Sequence, residues 1–266
     1  MAALLGISIL LCGPAAHSAQ AAATVFLEDL TWTELREQIL AGHTTILIPI
    51  GGTEQNGPHM ALGKHNARAR ILAERIARTL GNALVAPVIA YVPEGNVEPP
   101  TAHMRFPGTI TVPDDIFERT LESAARSFRR HGFRDIVFLG DHGGYQRDLR
   151  VAADRLNREW AQVPTRAHAL PEYYQSTEEP YASLLKGRGF RDEEIGTHAA
   201  LADTSLTLAL APAMVRSERL ASGALMGKAD GVYGDPRRAS ADLGQLGVDL
   251  IVAKTVEAIR KATAKR

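Results

Sequence analysis

Residues 51–65, GGTEQNGPHMALGKH, place a carboxylate (Glu54), an amide (Asn56) and two imidazoles (His59, His65) between an apolar run and a helical pattern. Loops of this kind, at the carboxyl ends of strands in α/β sheets, are where ligands bind. A further imidazole, His142, follows a second apolar run, with Asp141 before it and Gly143 and Gly144 after it. Glu54, His65 and His142 together offer one carboxylate and two nitrogens. That set suits a single divalent ion per chain, Zn²⁺ or Fe²⁺/Mn²⁺, with positions left open for water and substrate. Such an ion polarises a carbonyl and lowers the pKa of water to ~7, which is what hydrolysis of an amide requires. His198, with Asp203 close behind it, is placed to shuttle protons. His59 follows the rigid Gly57-Pro58 turn and offers another ligand or donor, while Gly143-Gly144 lets backbone approach a ligand closely. Each of these residues also has a purely structural use: a histidine held by carbonyls, a glycine turn, a helix start. The ligand types alone fit a two-histidine, one-carboxylate Fe²⁺ oxygenase as well.

These side chains need a scaffold that brings separate loops together. Residues 44–50 (TTILIPI), 83–90 (ALVAPVIA) and 135–140 (DIVFLG) read as buried strands, with Pro87 marking an edge or bulge, and 165–170 reads as another. Helical patterns fall at 31–40, opened by the Thr31/Glu34 capping box, and at 66–80, closed by Gly81. Others fall at 111–130 and 146–161, in the Ala-rich stretch ending at Leu210, and at 239–265. The alternation predicts an α/β fold: a three-layer α/β/α sandwich on a mostly parallel sheet, in one domain over 22–266. Both strand ends would then open on one edge, letting Glu54 and His142 converge. Residues 91–111 form a long Pro- and Gly-rich connection carrying Glu94, Glu98 and His103, and loops of that length are usually functional. Residues 173–191 read as charged, irregular surface.

Lys plus Arg and Asp plus Glu each number 30, so the formal charge is zero, which argues against nucleic acid or an anionic membrane as partner. Residues 1–23 contain no Asp, Glu, Lys or Arg, and an apolar run there gives way to small residues ending Ala19-Gln20-Ala21. That is the layout of a signal peptide over 1–21, although no basic residue opens it. It predicts a secreted or periplasmic protein with no membrane attachment after cleavage. The single cysteine, Cys12, lies in this leader, so cysteine chemistry is excluded from the mature chain. A P-loop is excluded because five residues separate Gly57 from Gly63 and His65 follows Lys64; no Gly-x-Ser-x-Gly elbow occurs either.

Five segments, in order, resemble the creatininase (creatinine amidohydrolase) family. They are Gly52-Thr53-Glu54-Gln55-Asn56-Gly57-Pro58-His59, the HMRFPGTI run from His103, Gly140-Asp141-His142-Gly143-Gly144, the Thr197-His198 to Asp203-Thr204-Ser205 segment, and Gly231 to Ser240, which opens GVYGDP. The resemblance implies a commonly hexameric α/β/α fold and metal-dependent hydrolysis of non-peptide C–N bonds in small amides. It also includes a peptidase-like relative and leaves room for a member that binds without turnover. It assigns Glu54 and His142 to a first metal and the catalytic histidine to His198, with Asp203 on the glutamate of a late motif. The family's bridging aspartate falls on His65, its second-metal histidine on Asn56, and its second-metal glutamate on Gly144. These departures predict one ion rather than two. Creatinine-stacking tryptophans have no match, since Trp32 and Trp160 lie elsewhere.

Overall fold

The computed structural model describes residues 24–264; the leader predicted over 1–21 lies outside them. Four strands, β1 (Thr45–Ile50), β2 (Ala83–Val85), β3 (Asp135–Gly140) and β4 (Arg166–Ala169), form one sheet in the order β2-β1-β3-β4. Every pairing in it is parallel. β1 and β3 are buried along their whole length, so their side chains alternate between two apolar faces instead of between core and water. The flanking helices are α1 (Trp32–Leu40), α2 (Lys64–Leu80), α3 (Asp114–His131) and α4 (Gln146–Glu159). Ile46, Ile48 and Ile50, with Ile136 and Phe138, face the layer built by α3 and α4. Phe117, Leu121, Leu149 and Leu156 meet them there, and α1 lays Leu35 and Ile39 on the margin. Leu47, Val137 and Leu139 face the opposite layer, where α2 contributes Leu72 and Ile76. This is the three-layer α/β/α architecture expected.

Two expectations need correction. The second strand ends at Val85 rather than residue 90, because Pro87 has no N–H to continue the ladder. The chain nevertheless stays beside β1: Ile89 N donates to the Pro49 carbonyl, and Gly51 N donates to Ile89 O. Residues 173–191 are not irregular surface. They hold most of α5 (Glu172–Gln175) and all of α6 (Glu179–Lys186), which bury Tyr173, Tyr181 and Leu185 in the α2 layer. The charged residues between those anchors obscured them. After α7 (Asp192–Ile195), the Ala-rich segment forms α8 (Leu201–Leu210). A short α9 (Ser217–Ala221) and the closing α10 (Ala241–Thr263) complete the chain, with α10 packed along α8.

The register explains where function can sit. Ile50 pairs with Gly140, so the segments after β1 and β3 leave the sheet side by side, and Asp141 N donates to Ile50 O. The connection after β2 returns to the same edge. Within it a 3-10 turn, Ala102–Arg105, presents His103.

Candidate metal centre

Glu54 occupies the middle of this edge and is fully buried. Four imidazoles face its carboxylate. On Oε1 stand His65 Nε2 at 2.9 Å and His198 Nδ1 at 3.8 Å; on Oε2 stand His103 Nε2 at 3.2 Å and His142 Nε2 at 3.4 Å. Burial by itself would raise the Glu54 carboxyl, but attraction to His142, His65 and Lys64 outweighs it and holds the group well below the usual carboxylate range. Tyr145 ties the two strand ends beneath: its hydroxyl donates to Gly51 O at 2.6 Å and accepts from His142 N at 3.1 Å.

A second carboxylate completes the group. Glu94, from the long connection after β2, lies with Oε2 3.7 Å from His142 Nδ1. Gly52 makes room for it, since a Cβ there would lie 2.7 Å from Glu94 Oε1. Ligand atoms of Glu54, Glu94, His103 and His142 all fall within 4.8 Å of one another. Glu54 Oε2 and both oxygens of Glu94 are buried without a hydrogen-bond donor. Leaving such acceptors bare costs about 1–3 kcal/mol each. Burial and the neighbouring Glu54 carboxylate push Glu94 up to about 10. Burial also pushes His142 down to about 3 and His198 to about 4, and lowers His103, so these rings are neutral at physiological pH. Without a cation Glu94 therefore keeps its proton at neutral pH; a divalent cation would replace that proton and satisfy both carboxylates beside the neutral imidazoles, and the donor set fits one.

His65, expected as a direct ligand, falls outside this four-residue group. Helix α2 begins at Lys64, two residues earlier than the pattern predicted, so His65 enters from its first turn. Its ring is strung between two carboxylates, with Nδ1 2.6 Å from Asp141 Oδ2 and Nε2 on Glu54. Asp141 also accepts from Arg68 Nε at 3.0 Å and from the Tyr173 hydroxyl at 3.1 Å. Arg68 and Lys64, one turn apart on α2, both pair with Asp203, which accepts from Ala199 N as well. Asp203, expected beside His198 as a catalytic partner, is thus engaged by cations. Against the burial that would raise it, Lys64 and Arg68 hold its carboxyl well below its ordinary value.

The remaining sequence candidates divide. Asn56 turns to the loop backbone and donates to the carbonyls of Glu54 and Ala61, pinning the loop. His59 is buried against Thr204, 2.9 Å away, and burial pushes it down to about 4. Gly144 backs onto the His142 ring, where a Cβ would come within 2.9 Å of Cε1, and Gly143 lies against the Tyr174 hydroxyl. His198 faces the centre as expected. His103, His142 and His198 line a cleft of about 490 Å³ walled by Tyr174, Glu178 and Ala202. Trp32 is 73% exposed and Trp160 is buried in the α3/α4 layer, so neither lines it. Sequence reasoning missed Glu94, Gln55, Lys64 and Arg68. Glu94 had one available signal, an acid just after an apolar run inside a loop too long to be a simple connector.

A family model described as "Creatininase: Creatinine amidohydrolase" matches residues 28–259. The chain is 26% identical to the creatinine amidohydrolase of Pseudomonas putida over 255 residues, covering 90% of this chain and 97% of that one. It is 28% identical over 206 residues to the mycofactocin precursor peptide peptidase of Mycolicibacterium smegmatis, covering 75% and 78%. A solved manganese form of creatininase superposes with a TM-score of 0.74 at 25% identity, over 90% of this chain and 99% of that one. With a parallel three-layer core, a buried carboxylate–imidazole cluster at its strand ends and a family match across nearly all of its described residues, the chain belongs to the creatininase family of metal-dependent amidohydrolases.

Proposed function

We propose that the protein hydrolyses a non-peptide C–N bond, in an amide or cyclic amide of a small substrate, with one divalent ion held by Glu54, Glu94 and His142. The observation that carries this reading is the pair of buried carboxylates, Glu54 and Glu94, with oxygens that no neighbouring group hydrogen-bonds, beside the neutral His103 and His142 rings that line an open cleft. When bound, the ion supplies Lewis acidity, polarising the substrate carbonyl and making water a stronger nucleophile. The chain supplies the rest. Glu54 and Glu94 bring charge, while Asp141, Arg68 and Lys64 fix the first turn of α2 and with it His65. His198 moves a proton at Nδ1. Zinc and manganese both suit two carboxylates and an imidazole, and iron(II) fits the same set.

A single ion is favoured because Asn56 spends its amide on loop carbonyls and Gly144 has no side chain to offer. The same observation supports a second reading, a family member that binds small amides without turning them over. Elemental analysis of protein purified without added metal, followed by a screen of small amides, lactams and short peptides, tests both. Turnover abolished by chelator and by His142→Ala supports the hydrolase. Binding without turnover supports the second reading, and two tightly held ions per chain overturn the single-ion proposal.

Export and assembly complete the proposal. The leader, free of acids and of lysine and arginine, supports a secreted or periplasmic protein, tested by fractionating cells and sequencing the mature N-terminus. Family membership supports a homo-oligomer, tested by sedimentation. Among the described residues no helix is long and apolar enough to cross a membrane.

A further inference from the structure

Gln55 is buried between two of the histidines that face Glu54, and its hydrogen bonds can be counted. Its Oε1 accepts from Gly57 N at 3.0 Å, and its Nε2 donates to the Gly231 carbonyl at 3.2 Å. Exchanging the amide O and N would set a donor against a donor and an acceptor against an acceptor, so these two backbone groups fix its orientation. The fit is tight: Gly231 has φ +76°, and a Cβ there would overlap Gln55 Oε1. Three further contacts remain. Gln55 Nε2 lies 3.1 Å from His103 Nδ1 and 3.0 Å from His198 Nε2, and His198 Nε2 lies 3.0 Å from the Gln55 carbonyl.

One assignment of protons gives a donor to every acceptor grouped around Gln55, and leaves the Gln55 Nε2–His198 Nε2 contact as the one place where two N–H groups meet. The two amide hydrogens go to His103 Nδ1 and the Gly231 carbonyl, and His198 Nε2–H donates to the Gln55 carbonyl. If His198 Nε2 lacked its hydrogen, a ring lone pair would face that carbonyl at 3.0 Å and a buried acceptor would go without a donor. Both rings therefore carry their proton on Nε2 but present opposite faces to Glu54. His103 brings Nε2–H to 3.2 Å from it without hydrogen-bonding geometry, and His198 brings the bare Nδ1 to 3.8 Å. The ring centroids are 4.6 Å apart.

We propose that Gln55 is a positioning residue that makes His103 the proton donor and His198 the proton acceptor of this site. This rests on the proposed hydrolytic function only for what the pair then does. As water adds to the amide carbon, forming C–O, its proton goes to His198 Nδ1. As the C–N bond breaks, the departing nitrogen takes the proton of His103 Nε2, and the imidazolate this leaves is balanced by the imidazolium formed at His198; a neutral imidazole can serve as an electrophilic partner. Passing one proton from His198 back to His103 restores both rings, and no other reactant is consumed. Thr109 holds the arrangement from behind, since its hydroxyl accepts from Gln55 N and donates to His103 O.

The test uses ¹⁵N-histidine-labelled, metal-free protein at neutral pH, with ring signals assigned by their loss in His103→Asn and His198→Asn. The expected result is that both rings are Nε2–H tautomers in the unsubstituted protein. In Gln55→Glu, whose carboxylate can only accept, His103 alone switches to Nδ1–H. An Nδ1–H His103 beside native Gln55, or a His103 signal unchanged in folded Gln55→Glu, overturns the proposal. If Gln55→Glu does not fold, the tautomers of the unsubstituted protein decide it. Once a substrate is identified, Gln55→Glu should lower kcat roughly a hundredfold, the scale of losing one general acid, with little change in KM. An equal loss falling on KM counts against the assignment. Because the tautomers are read without metal or substrate, failure to find any amide that turns over would sink the hydrolase reading and leave this measurement intact.

Discussion

Among single residues, Glu94 separates the proposed ligand set from the one the sequence suggested. Both of its carboxylate oxygens are buried and bare, and it shares His142 with Glu54. Glu94→Gln should therefore weaken divalent-ion affinity by more than the roughly 10–100-fold typical of losing an outer-sphere partner, whereas Asp141→Asn, which loosens His65, should stay within that range. Competition with a fluorescent chelator measures both; a Glu94→Gln variant that binds the ion like the unsubstituted protein is not missing a ligand. Glu54, His142 and His198 were legible because each sits in a motif or directly past a strand. Glu94 was not. It reaches Glu54 through backbone bonds that carry the chain past Pro87 alongside β1, and such a path leaves no periodic signal.

At the scale of elements, the first turn of α2 does the positioning. Lys64 and Arg68 on one face reach Asp203 in the first turn of α8, and Arg68 and His65 reach Asp141 just past β3. The helix itself was readable from Leu72, Ile76 and Gly81, but the roles of Lys64 and Arg68 were not, because a sequence does not show that two acids from distant segments arrive to pair them. Lys64 is buried, and among the described residues Asp203 is the one hydrogen-bond partner of its ammonium. Asp203→Asn should thus cost about 3–5 kcal/mol by stranding buried cations, read as a loss of midpoint in urea. The sign with pH follows from the carboxyl being held below 3.8: its stabilisation is complete above that value and disappears as pH falls through the lower folded-state value. The gap between the two proteins should narrow in acid below pH 3.8. A gap that stays constant would mean the ion pairs contribute little.

For the whole molecule, the proposed metal centre would couple to global stability through Glu94. In the metal-free fold its carboxyl is pushed up to about 10 from an ordinary 4.5, by burial and by the Glu54 carboxylate. Between those values the folded chain holds a proton that the unfolded chain has released, so stability of the metal-free protein should fall as pH rises through that window. A divalent ion takes the place of that proton. Binding at neutral pH should release about one proton per ion, which calorimetry in buffers of different ionisation enthalpy would count. An ion at about a hundred times its Kd adds about 2.7 kcal/mol, or roughly 5–10 °C in Tm for a domain of this size. The difference in Tm between loaded and chelated protein should therefore widen from about pH 5 toward about pH 9, with the chelated form carrying most of the slope. Parallel curves, or binding without proton release, would place the cation away from the Glu54–Glu94 pair and return the choice of ligands to His65.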